Sequence, residues 1–238
     1  MDEILLIDKP AGMTSFGVVA RVRRKLTEMA RQEWDAKYGD LTEEERKYVP
    51  ARPKKVKVGH AGTLDPFATG LLIVLVGKAT KKAQDFLKLD KEYEATFILG
   101  KKSTTGDPEG EITEAVEVRV PTRGVVEECA RGMVGEMMQR VPEYSAVKIN
   151  GQRAYKLARA GKQVEMPVRK VRVYDLEVLD YAWPEVRIRT KVSSGTYIRA
   201  LGEEMGERLG TGAYVEELRR TRVGEWKVED AVEWNSAV

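Results

Sequence analysis

Residues 59–76 read Gly59-His60-Ala61-Gly62-Thr63-Leu64-Asp65-Pro66-Phe67-Ala68-Thr69-Gly70-Leu71-Leu72-Ile73-Val74-Leu75-Val76. The first twelve residues carry three glycines, a proline and the only histidine of the chain. The last six form an unbroken apolar run, which reads as a strand. A punctuated loop therefore delivers one carboxylate, Asp65, beside a strand. An Asp before Pro is most often a turn former or a helix cap. Turns need Gly, Pro and Asp, but not all of them around one His. Gly59, Gly62 and Gly70 permit backbone shapes that other residues resist, and they allow a ligand to approach closely. With a reference pKa of about 3.9, an aspartate is ionised at neutral pH and ready to act as nucleophile or base.

Composition narrows the chemistry. A chain of 238 residues holds one large domain, or one domain with a small appendage. The charge balance, 41 − 38 = +3, is mildly basic and does not by itself predict a nucleic-acid partner. Local clustering has to carry that argument. Cys129 is the single cysteine, so an internal disulfide is excluded and a reducing compartment is the simplest setting. The acidic start, Met1-Asp2-Glu3-Ile4, lacks the basic region of a signal peptide. No apolar run approaches the roughly 18–20 residues that cross a bilayer. The chain reads as cytoplasmic, with no membrane association. One His and one Cys exclude a Cys/His zinc site and a zinc-deaminase site. A Ser-His-Asp triad could use only His60. A Gly-rich phosphate loop and a dinucleotide fingerprint are both missing. What remains is chemistry by carboxylates, Lys, Arg and Tyr, with no cofactor and no metal expected.

The pattern outside residues 59–76 gives the elements. Ile4–Ile7 reads as a short strand stopped by Asp8-Lys9-Pro10-Ala11-Gly12. Thr14 or Ser15 caps a helix whose apolar stripe is Val18, Val19, Val22 and Leu26, with Arg21, Arg23, Arg24 and Lys25 on its other face. From Thr27 to about Val49 the chain is charge-dense, which predicts a helix or two of weak burial, ended by Pro50 and Pro53. Arg52, Lys54, Lys55 and Lys57 then form a basic run just before the Asp65 loop. Helices are expected over 78–89, 122–133 and 197–209, and strands over 93–99, 144–149 and 171–181. Val186, Ile188 and Val192 alternate with Arg187, Arg189 and Lys191, giving a strand with one buried and one basic face. Residues 100–110 read as a turn-rich loop, Asn150-Gly151 as a hairpin turn, and 222–224 as a last short strand. Many strands with helices at irregular intervals predict an α+β fold with a mixed or antiparallel sheet.

Each candidate residue has an ordinary reading beside a chemical one. His60 is a structural histidine by default, but beside Asp65 it can line a pocket and stack on or displace a base. Arg199 falls in the first turn of a helix, where the dipole mildly disfavours a cation. It is either a surface ion pair of little worth or a salt bridge that holds Asp65 ionised and aimed. Tyr93 is core by default and a stacking platform otherwise. Lys148 and Leu218-Arg219-Arg220 are unremarkable alone. The run at 52–57 is usually a solvated face, yet beside Asp65 it also suits phosphate contact.

Seven stretches, in order, resemble the bacterial tRNA pseudouridine synthase B (TruB) family: Asp8 to Ser15; Gly59 to Pro66; Lys91-Glu92-Tyr93; Leu99-Gly100 through Thr105, Asp107 and Gly110; Pro142 with Tyr144 to Lys148; Ser194 to Arg199; and Leu218-Arg219-Arg220. The resemblance implies a pseudouridine synthase core: a mixed, largely antiparallel sheet with flanking helices and a central RNA-binding cleft. It implies isomerisation of uridine 55 in the TΨC stem-loop of tRNA by base flipping. Asp65 matches the catalytic aspartate, Tyr93 the tyrosine that stacks on the target base, and Arg199 the arginine that pairs with the aspartate. His60 matches the histidine that helps flip the target, and Leu218 a pocket-lining leucine. Arg52, Lys54, Lys55, Lys57 and Lys148 are candidate RNA backbone contacts. The family expectation is a monomer. Pseudouridine formation breaks N1–C1′, turns the uracil and joins C5 to C1′, so no cofactor is required. The carboxylate can attack the sugar or the base, or assist glycal formation. Two departures are expected: a charged insertion at about 27–55 within a single catalytic domain spanning 1–238, and no C-terminal domain of PUA type. The alternatives are a non-catalytic RNA-binding or tRNA-folding protein of the same fold, and a synthase acting on another RNA.

Overall fold

The computed structural model describes residues 2–162 and 164–233. They fall into two compact units, one from the described parts of 1–88 and 225–238 and the other from 89–224.

The first unit opens with β1 (Ile4–Lys9), α1 (Ser15–Tyr38), β2 (Val58–His60), β3 (Thr69–Val76) and α2 (Ala83–Leu87). β3 lies antiparallel between β1 and β2, in a register running from Ile4↔Leu75 to Lys9↔Gly70 on one side and Val58↔Val76 to His60↔Val74 on the other. All six residues from Leu71 to Val76 are wholly buried. A continuous apolar run has no polar face to show water, so it belongs in the middle of a sheet. The α1 stripe, Val18, Val19, Val22 and Leu26, is buried as predicted. Thr14 is the cap, its side chain accepting the Gly17 N–H at 2.9 Å.

Beyond Leu26 the helix continues into the charged segment, and a short 3-10 turn follows at Glu45–Tyr48. The chain returning along this arm is laced to the helix. Arg31 donates to the Pro53 and Lys54 carbonyls at 3.0 and 2.6 Å, and the Trp34 indole donates to the Pro50 carbonyl at 2.6 Å. Arg52 grips Asp35 through two bonds of 2.7 and 2.6 Å. The single helix expected over 78–89 is divided into a 3-10 turn at Gly77–Lys82 and the short α2.

The second unit contains β4 (Lys91–Leu99), β5 (Lys101–Ser103), β6 (Ile112–Glu114), α3 (Arg123–Gly132), β7 (Gly135–Arg140), β8 (Lys148–Ile149), β9 (Gln152–Arg153), α4 (Ala154–Arg159), β10 (Val168–Ala182), β11 (Glu185–Val192), α5 (Ile198–Arg208) and β12 (Ala213–Val223). Its sheet runs β12-β4-β11-β10-β7, antiparallel at every step. β11 alternates exposed and buried residues along its whole length, as its sequence predicts. The chain then returns to the first unit with β13 (Trp226–Lys227) and β14 (Val232–Glu233), and β14 lies parallel to β1. The parallel β1–β14 pairing beside the antiparallel ones makes the α+β, mixed and largely antiparallel expectation correct.

Three local expectations are corrected. Of 144–149 only Lys148–Ile149 is strand, because the Ser145 and Val147 carbonyls accept the N–H groups of Tyr155 and Ala154 at 3.1 and 2.8 Å instead of joining a ladder. Asn150 and Gly151, with φ of 49° and 82°, make the expected hairpin turn to β9. The loop at 100–110 contains β5, which pairs with β6. The short strand at 222–224 is the end of the eleven-residue β12. Two register shifts, between Val215/Glu217 and Arg220/Arg222, break its alternation and hid the strand from a period-two reading.

Candidate active site

Asp65 is half-buried in the loop between β2 and β3. The backbone on either side of it is held by the stretch that follows β1. On the preceding side, Ser15 Oγ donates to the Leu64 carbonyl at 3.0 Å and accepts the Leu64 N–H at 2.8 Å. On the following side, the Pro66 carbonyl accepts from Lys9 Nζ at 3.2 Å and from the Gly12 N–H at 2.9 Å. Lys9 is wholly buried, and it also donates to the Pro10 and Met13 carbonyls at 2.8 and 2.7 Å. The Asp65 carbonyl accepts the Ala68 N–H at 3.2 Å. Gly62 and Gly70 take φ of 105° and 100°, a region closed to most side chains, so the two glycines that bracket the turn are required by its shape. His60 is half-buried and closes β2 opposite Val74.

In the second unit, Tyr93 is 8% and Leu218 7% exposed. In the β4/β12 register Tyr93 stands opposite Arg220, and Ala95 opposite Leu218. Directly opposed residues share a sheet face, so Tyr93, Leu218 and Arg220 project from one face. That is also the face of Phe97 and Val215, on which α5 packs through Gly202.

Arg199 enters from the first turn of α5, buried rather than on the surface. Within its unit Nη1 donates to the Thr105 carbonyl at 2.7 Å and to Asp107 Oδ2 at 3.0 Å, and Nη2 donates to the Tyr144 carbonyl at 2.8 Å. Asp107 is buried as well, and its Oδ1 accepts from Thr105 Oγ1 and from the Glu109 N–H. A guanidinium with a buried carboxylate and two carbonyls on it is fixed in position. Lys91, two residues before Tyr93, has its pKa pushed down to about 8 by burial, with the positive charge of Arg220 adding to the effect and Asp90 opposing it.

The remaining candidates are basic residues of the segment before β2 and of β8. Arg52 is engaged by Asp35. Lys54, Lys55 and Lys57 are exposed on the irregular return segment of the arm, and Lys148 is exposed in β8. Lys9, Asp107 and Arg220 were given no role by sequence reasoning, and Ser15 only that of an alternative helix cap. Lys9 carried one legible signal, a lysine directly after an apolar strand and before Pro10. Asp107 carried another, an acid in a Thr-Gly-Asp-Pro turn. Among the described residues no group of three or more His, Cys, Asp or Glu could hold a metal ion. No helix among them is long and apolar enough to cross a membrane.

Residues 46–198 match the model of the TruB family pseudouridylate synthase N-terminal domain, and residues 199–236 match that of the tRNA pseudouridylate synthase B C-terminal domain. The chain belongs to the TruB family. Among its TruB relatives, a Bacteroides fragilis protein named tRNA pseudouridine synthase B is 42% identical over 231 residues, covering 97% of this chain and 90% of the relative. A protein of the same name from Opitutus terrae is 39% identical over 232 residues, covering 98% and 85%. Solved structures resemble the TruB chain too. One component of a Cbf5-Nop10-Gar1 complex superimposes with a TM-score of 0.66 at 31% identity, covering 97% of this chain and 51% of that one. A component of an H/ACA RNP bound to a substrate RNA containing 2′-deoxyuridine gives 0.63 at 29%, covering 98% and 51%. The TruB chain thus spans about half the length of those two solved chains. The family read from the seven stretches is the family found.

Proposed function

We propose that this chain isomerises uridine 55 in the T stem-loop of tRNA to pseudouridine in the cytoplasm, with Asp65 as its catalytic carboxylate. The observation that carries the reading is the Asp65 loop: the residue on each side of the half-buried aspartate is clamped by the stretch that follows β1. A turn former needs no such support, whereas a reagent that must meet one atom of its substrate does. The target lies inside a folded RNA loop, so the uridine is everted at a cost of a few kcal/mol. His60 assists that eversion, Tyr93 stacks on the base, Leu218 supplies an apolar wall, and Arg199 keeps Asp65 ionised. N1–C1′ breaks and C5–C1′ forms. The proton lost from C5 balances the one gained at N1, so the reaction needs no oxidant or reductant. Arg52, Lys54, Lys55, Lys57 and Lys148 serve the RNA backbone in this reading.

Asp65→Asn tests it. With unmodified tRNA as substrate, conversion is expected to vanish while the dissociation constant stays within a few-fold of the native value. Conversion at the native rate would remove Asp65 from the chemistry and place the reaction on another residue.

A further inference from the structure

Ser15 is the first residue of α1, one past the N-cap. Here Thr14 takes the cap, so the Ser15 hydroxyl is turned to another use. That hydroxyl is buried, with Ser15 2% exposed, and it satisfies both polar groups of one residue: the Leu64 carbonyl at 3.0 Å and the Leu64 N–H at 2.8 Å. Leu64 is itself 3% exposed and immediately precedes Asp65. The two successive peptide units that meet at Leu64, each gripped at one polar group, lose their freedom to rotate, and the direction of the next Cα–Cβ bond is set with them. The partner sits at the start of a helix whose stripe is embedded in the core, so the grip has a rigid base.

We propose that Ser15 is a positioning residue for the reaction, orienting Asp65 through the backbone of Leu64. This rests on the catalytic reading of Asp65. Without the hydroxyl, two buried backbone groups lose their partner and the loop turns to find another. A carboxylate displaced by about 1 Å costs about a hundredfold in rate.

The test uses the full chain with saturating unmodified tRNA in single-turnover assays of Ser15→Ala, Ser15→Cys and Asp65→Asn. For Ser15→Ala the rate is expected to fall about 10- to 100-fold, with the dissociation constant for tRNA within about threefold of native. Ser15→Cys keeps the volume but has a weaker donor and acceptor, so its rate should lie between the two. A folded Ser15→Ala protein that reacts within about threefold of native overturns the inference, as does a loss of rate matched by an equal loss of affinity. If Ser15→Ala does not fold, the same criteria are applied to Ser15→Cys. If Asp65→Asn converts uridine normally, the catalytic reading and the role of Ser15 fall together. If Asp65→Asn is inactive and both Ser15 variants run at native speed, only the role of Ser15 falls.

Discussion

Lys91 and Arg199 show two ways of carrying a positive charge inside a fold. Arg199 is compensated: Asp107 at 3.0 Å and two carbonyls take its donors, and removing one member of such a buried pair costs about 3–5 kcal/mol. Lys91 is less well placed. It is 7% exposed, it donates to the Leu89 carbonyl, and burial beside Arg220 brings its pKa from 10.5 to about 8. In the unfolded chain it holds its proton up to about 10.5, and in the folded protein only up to about 8. Between those values unfolding takes up a proton, so stability rises with pH across this window. Below pH 8 both states are charged, and the folded protein bears the whole penalty, of the order of 3 kcal/mol. Lys91→Met should therefore be more stable than the native protein at pH 7.5, with the advantage shrinking as pH approaches 10. Urea midpoints of the two proteins at pH 7.5 and 9.5 check this, and an advantage that grows with pH would contradict it.

Among the elements, α5 and β12 show where local pattern informs and where it fails. α5 was legible over 197–209 because its apolar residues keep a helical period, and the structure places the helix at Ile198–Arg208. The glycines within it look like flaws, since glycine in a helix interior costs about 1 kcal/mol relative to alanine. Their reason is tertiary. A Cβ on Gly206 would stand 2.3 Å from both the Ala213 nitrogen and the Gly212 carbonyl carbon, which are backbone atoms unable to rotate away. Gly206→Ala is therefore expected to lose stability despite its better propensity, by about 1–3 kcal/mol as in other overpacked sites, seen as a lower urea midpoint. A gain of the size that propensity alone predicts would mean that α5 is free to lift off β12. β11 was readable residue by residue because nothing interrupts its alternation. β12 was not, because each of its bulges shifts the side that the following residues face, and the sequence gives no sign of an extra residue until the partner strand is known.

For the molecule as a whole, the legible part of the candidate site was the reagent, and the illegible part was what holds it. Asp65 stood out because glycines and a proline crowd it in sequence. Ser15, 49 positions from Leu64, and Asp107, 92 positions from Arg199, become partners only once the chain has folded. RNA affinity poses a similar problem of distribution. A net charge of +3 over 238 residues gives almost no overall attraction for a polyanion, so binding must come from where the cations are grouped. The arm at 27–55 is polarised. Glu43, Glu44 and Glu45 stand exposed near its tip, while Lys54, Lys55 and Lys57 line its return toward the Asp65 loop. Arg52 is the least available of the basic run, being held by Asp35. Each phosphate neutralised contributes roughly −0.7 to −0.9 to the slope of log affinity against log salt. Changing Lys54, Lys55 and Lys57 together to Ala should therefore flatten that slope by about 2, whereas changing Glu43, Glu44 and Glu45 to Gln should leave it unaltered. Filter binding of unmodified tRNA between 50 and 300 mM salt, a range of roughly the size over which such contacts change affinity most, distinguishes the two. An unchanged slope for the lysine variant would make the return segment ordinary solvated surface, and the phosphate contacts would have to be sought at Lys148 and its neighbours.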